Sequence, residues 1–136
     1  METKDRGILT IETDSDNQKR VIFNPVNGTV WLTKSELIEL FGVYRQTVNA
    51  CIDAIFKANV FHAEDNSKCH LIASKGKSGI RYDPYEFNLM FVIAMAFRVD
   101  SENTGILREW ILNQIPAQKS IFLQIPITNI PNYKWN

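Results

Sequence analysis

The sequence predicts an α+β fold: a small N-terminal β-sheet, a helix-turn-helix with a wing-like β-hairpin behind it, and two further packed helices. Three observations predict it. β-prone runs separated by turn formers fill the first third of the chain. Helical periodicity over Thr33–Lys57 is interrupted once, at Gly42-Val43, with the spacing of a helix-turn-helix. After it, a Gly/Ser/Lys turn separates two short apolar runs, and helical periodicity then returns.

Ile8-Leu9-Thr10-Ile11, Arg20-Val21-Ile22-Phe23 and Thr29-Val30-Trp31-Leu32 are the expected strands of the first sheet. Asp14–Gln18 and Asn24–Gly28 are rich in turn formers. Pro25 and Asn27-Gly28 suit a hairpin between the second and third strands.

The first helix of the pair has a marked start. Thr33-Lys34-Ser35-Glu36 fits a capping box, in which the Thr33 hydroxyl accepts from the Glu36 amide and the Glu36 carboxylate accepts from the Thr33 amide. Leu32 and Leu37 stand at the positions of a hydrophobic staple. Leu37, Leu40 and Phe41 make the inner stripe, and Gly42 suits the left-handed conformation a sharp stop needs. The second helix starts near Arg45, with Val48, Ile52 and Ile55 on one stripe and Cys51 beside it. Arg45, Gln46, Asn49 and Asp53 point mostly elsewhere, and the first three are the candidate base readers. Their donors and acceptors match base edges, and they sit in the first turns of the helix that enters the major groove in this motif.

His70-Leu71-Ile72-Ala73 and Gly79-Ile80-Arg81-Tyr82 read as a hairpin with Ser74–Ser78 as its turn. That is where a wing would follow a helix-turn-helix. Lys75 and Lys77 at its tip, with Lys34, Thr47 and Arg81, are the candidate phosphate contacts. Asp83-Pro84-Tyr85-Glu86 has the form of a helix start, with Asp as N-cap, Pro first and Glu third, and predicts a helix over residues 84–98. Asp100–Asn103 turns the chain into a last helix over about 103–115, which Pro116 ends. Trp31, Leu37, Phe41, Val48, Ile52, Phe91 and Trp110 are the expected core. Residues 1–116 read as a single winged helix-turn-helix-type domain. Residues 117–136 read as a tail, whose alternating Ile121, Leu123 and Ile125 suit an edge strand, an arm or a dimer contact.

At 136 residues the chain is long enough for one core. No apolar run reaches the roughly 18 residues a membrane span needs, and the N-terminus lacks the pattern of a secretory signal. A cytoplasmic protein with reduced Cys51 and Cys69 is the expectation. Net charge is zero, whereas most DNA-binding domains are basic. The distribution is uneven. Residues 1–16 hold five acids against two bases, a local charge of −3, and residues 68–81 hold four bases and no acid, a local charge of +4.

Residues 40–52 resemble the helix-turn-helix of small phage repressors of the Cro type. A wider resemblance, over roughly residues 8–115, is to the RhuM family of virulence-associated bacterial proteins. It is carried by Val30-Trp31-Leu32-Thr33, Glu39-Leu40-Phe41-Gly42-Val43, Arg45, Asp53-Ala54-Ile55-Phe56, Phe97-Arg98-Val99 and Arg108-Glu109-Trp110. The resemblance implies a DNA-binding-type domain. The chain departs from that family at Tyr44, where a small capping serine is usual, at Cys51, where a polar or basic residue is common, and at Glu102-Asn103, where basic residues are usual. Tyr44 leaves the second helix without a side-chain cap.

Catalytic chemistry has little support. Cys51, His62, Cys69 and His70 match no zinc spacing, and no oxyanion site accompanies a Cys–His pair. Gly76-Lys77-Ser78 ends like a phosphate loop but has leucine at position 71, where that motif needs glycine. No metal, cofactor or small-molecule ligand is expected, and no enzymatic activity. The leading expectation is a dimeric, sequence-specific reader of double-stranded DNA, a bacterial or phage-derived transcriptional regulator. The alternative is a protein-protein interaction module on the same scaffold, without DNA binding.

Overall fold

In the computed structural model, which describes residues 5–59, 61–73 and 79–114, the apolar stripes of the sequence converge on one core. Phe41, Phe87, Phe91, Leu37, Ile52 and Ile55 are its largest fully buried side chains. Of the expected core, Leu37, Phe41, Val48, Ile52 and Phe91 are buried, and Trp31 and Trp110 are half-buried.

The chain begins with a hairpin, β1 (Ile8–Thr13) against β2 (Lys19–Asn24), in register from Ile8↔Asn24 to Thr13↔Lys19. The Asp14 carboxylate holds its turn by accepting from the amides of Asp16 and Gln18, at 2.9 and 3.0 Å. The Asn27-Gly28 turn forms as expected, with φ of 54° and 79° and a bridge between Val26 and Thr29. The hairpin expected between the second and third strands does not extend beyond it. β3 (Trp31–Thr33) leaves the first sheet and pairs with a later strand, because Val30 and Leu32 are buried in the core.

Next come α1 (Lys34–Phe41), a three-residue turn, and α2 (Arg45–Ala58). The capping box forms, with Glu36 N 3.2 Å from Thr33 Oγ1 and Thr33 N 2.8 Å from Glu36 Oε1. Gly42 ends α1 at φ 66°, its amide donating to Ile38 O at 2.9 Å. α2 starts at Tyr44 without a side-chain cap and ends at Asn59 in the left-handed region, φ 52°.

A short 3-10 turn, Ala63–Asn66, leads into β4 (Ser67–Ala73) and β5 (Ile80–Asn88). Their sheet has the order β3-β5-β4, all antiparallel. Asp83-Pro84-Tyr85-Glu86 is therefore not a helix start, and the helix expected over 84–98 begins later. The four residues lie inside β5, where Lys68↔Glu86 is followed by Cys69↔Pro84, leaving Tyr85 as the extra residue of a bulge. β3 reaches back only to Glu86, so Pro84 has a strand neighbour on one side alone. A proline is tolerated at such a place.

The helix starts instead at α3 (Leu89–Ala96), with Asn88 as N-cap accepting from Phe91 N at 3.1 Å. Phe91, Val92, Met95 and Ala96 are its buried residues. α4 (Glu102–Asn113) is capped by Ser101 and Thr104 in a second capping box. It lies along the first sheet, with the Trp110 ring edge-on to Phe23 at 5.1 Å. Arg108 Nη1 donates to Ala96 O and Val99 O, at 2.9 and 3.0 Å, and so satisfies carbonyls at the end of α3. No described helix is long and apolar enough to cross a membrane.

Candidate nucleic-acid interface

α2 owes its orientation to its inner stripe. Val48, Cys51, Ile52 and Ile55 are buried, so the opposite side faces solvent. That side carries Arg45, Gln46, Ala50, Asp53, Ala54 and Lys57, all exposed. Asn49 differs from expectation: it is half-buried, and its Oδ1 is buried with no hydrogen-bond donor among the described residues. Further along α2, Phe56 stacks on Tyr82 of β5 at 6.5 Å.

The turn before α2 is held from the far end of the fold. Ser101 Oγ donates to Phe41 O at 2.6 Å, and Asn103 Nδ2 donates to Leu40 O at 3.0 Å. Both carbonyls belong to the last turn of α1, where no basic side chain is present to satisfy them. Asn103 and Glu102 both accept from Lys19 Nζ at 3.1 Å, tying β2 to the same point. Glu102 and Asn103 thus have a structural use in this chain. At the other end of α1, Glu36 pairs with Arg6, which also donates to Trp31 O at 2.6 Å.

The chain matches no known family, no curated protein and no solved structure.

Two grooves flank α2. One, about 600 Å³, lies between Gln46, Thr47, Ala50 and Cys51 of α2 and the Arg98–Asp100 turn. The other, about 500 Å³, lies between Asp53, Phe56 and Lys57 of α2 and Arg81, Tyr82 and Pro84 of β5, with Glu64 at its edge. The expected residues thus divide. Arg45 and Gln46 share the exposed first turn, Thr47 is on the flank toward Arg98, and Arg81 is exposed across the groove on the hairpin side. Lys34 is half-buried at the start of α1 and lines neither groove. Lys75 and Lys77 lie outside the described residues.

Three site neighbours were not picked out as candidates from the sequence. Tyr44 is 81% exposed immediately before Arg45. Arg98 puts a cation beside Thr47, and Asp53 puts an acid on the outer side of α2. Arg98 falls in the Phe97-Arg98-Val99 run and Asp53 is polar at an outward position, so both were visible as residues but not as neighbours of the site.

Burial pushes the Cys51 thiol up, with the Arg98 charge opposing it, so at neutral pH it is a protonated and poorly nucleophilic group. Cys51 and Cys69 are both free. Of Cys51, His62, Cys69 and His70, only His62 joins a group of possible metal ligands among the described residues, with Glu64 and Asp65. All three are exposed, His62 just before the 3-10 turn and the two acids on it, and the His70 ring instead stacks on Tyr85 at 4.4 Å.

Proposed function

We propose that this chain is a sequence-specific DNA-binding protein that reads the major groove with α2, a bacterial or phage-derived transcriptional regulator that works in the cytoplasm as a homodimer. The observation that carries the reading is the first turn of α2. Arg45 and Gln46 are fully outward there, directly after a tight turn, while Val48, Cys51, Ile52 and Ile55 anchor the helix from behind. An arginine and a glutamine on an exposed helix start are the side chains best suited to guanine and adenine edges. The antiparallel β4–β5 pair follows α2 in the chain, the order a wing needs, and its pairing with β3 joins it to the strand that leads into α1. Binding through side chains, with no cofactor or catalysis, is all that this reading needs.

Arg45, Thr47, Arg81 and Arg98 supply cations or donors around α2, and Lys75 and Lys77 add two more in the sequence between β4 and β5. The test is titration of a labelled duplex with the full chain at several salt concentrations. Affinity should fall as salt rises, and replacing Lys75 and Lys77 together by alanine should lower the log–log slope by up to about two units. A protein-interaction module is the second reading, favoured by the zero net charge and by the exposed Asp53 on the outer side of α2. It predicts a folded chain that binds no duplex even at low salt.

A further inference from the structure

Arg45, Asn49 and Asp53 are spaced by four residues, so they run along α2 as one row. Arg45 offers only donors, Asn49 offers both donors and an acceptor, and Asp53 offers only acceptors. Arg45 and Asp53 are both exposed, and eight residues of helix separate them by about 12 Å. Asp53 takes part in no ion pair or side-chain hydrogen bond among the described residues, although Lys57 and Arg81 line the same groove. Its carboxylate is thus left uncompensated on a surface where phosphate contact would be repulsive.

Base edges are the alternative partner. In the major groove a carboxylate needs an amine to accept from, which only cytosine N4 and adenine N6 supply. Adenine places its N7 acceptor beside that amine, against the carboxylate, whereas cytosine presents the amine alone. We propose that Asp53 selects a cytosine about three to four base pairs from the guanine faced by Arg45, at about 3.4 Å per base pair. This rests on the DNA-reading role of α2. It makes Asp53 a specificity residue that weakens binding to every other sequence, and it gives the neutral charge of the chain a use: discrimination gained by lowering non-specific affinity.

Selection from a random-sequence duplex pool tests it, with the wild type, Asp53→Asn, Asp53→Ala and Arg45→Ala compared. The wild type should enrich cytosine at one position by about fivefold or more. Asp53→Asn should shift that position toward adenine, and Asp53→Ala should level it. The position that Arg45→Ala erases should keep its preference in both Asp53 variants. If both Asp53 variants instead tighten on all duplexes equally, with no position changed, Asp53 only repels phosphate and the proposal is overturned. If the folded wild type enriches nothing at all, the reading role of α2 is wrong and the assignment of Asp53 goes with it.

Discussion

Arg6 and Glu36 form a two-pronged ion pair across thirty residues of sequence, Nη1 to Oε1 at 2.8 Å and Nη2 to Oε2 at 3.1 Å. The same Glu36 oxygen that receives Arg6 Nη1 accepts from the Thr33 amide at 2.8 Å, so one carboxylate closes the α1 cap and fastens the segment before β1 to it. Arg6→Ala should therefore loosen both and cost about 1.5–3 kcal/mol, the range for a hydrogen bond to a charged group. Urea unfolding of the two proteins measures the difference. Burial alone would raise the Glu36 pKa, but the hydrogen bonds from Arg6 and the Thr33 amide outweigh it and hold the group below its ordinary value of 4.5. A lowered folded pKa gives stability that is present above the unfolded value and lost as pH falls through the folded one. The wild type should lose stability as pH drops below about 4.5, and Arg6→Ala should lose less over the same window. Equal acid sensitivity in the two proteins would show that the pair contributes nothing to folding.

Gly42 holds the turn between α1 and α2. Its φ is 66°, and a Cβ placed there would stand 3.3 Å from Asn103 Nδ2, the donor that satisfies Leu40 O. Gly42→Ala should cost about 1–2 kcal/mol for the left-handed backbone, with a further loss if Asn103 is displaced. Asn103→Ala in the Gly42→Ala background separates the two: if the alanine pushes Asn103 aside, the two losses will not add.

Tyr44 caps α2 with its backbone only, so the amides of the first turn lack a side-chain acceptor. Tyr44→Ser should restore one and stabilise the chain by about 0.5–1 kcal/mol. Thermal unfolding reads this directly. A decrease in stability would mean that the tyrosine ring, although 81% exposed, packs more usefully than a cap.

Local signals account for the segment around α1 and α2 almost residue for residue. The Thr33–Glu36 box, the Gly42 stop and the Val48–Ile52–Ile55 stripe are all formed by neighbours within a turn or two. Asp83-Pro84-Tyr85-Glu86 failed for the opposite reason. Its local chemistry suits a helix start, but its conformation is decided by pairing with Ser67–Ala73 on one side and Trp31–Thr33 on the other. β3 was misassigned to the first sheet on the same ground, since its partner lies more than fifty residues away. At the site, Arg45 and Gln46 were legible because helix periodicity alone places them outward. The partial burial of Asn49 was not, and neither was the clamp of Ser101 and Asn103 on α1, whose partners lie 60 and 63 residues apart.

The DNA-reading role proposed for α2 requires Arg45 to touch a base rather than a phosphate. The most direct measurement is a double-mutant cycle on a selected duplex: Arg45→Ala on the protein, and 7-deazaguanine, which lacks the N7 acceptor, on the DNA. Each change alone should cost about 1–3 kcal/mol, and both together should cost little more than one, because they remove the same contact. Arg45→Ala should leave affinity for unrelated duplexes nearly unchanged. Fully additive losses, or an equal loss on every sequence, would make Arg45 a backbone contact, and no binding to any duplex would contradict the DNA-reading role itself.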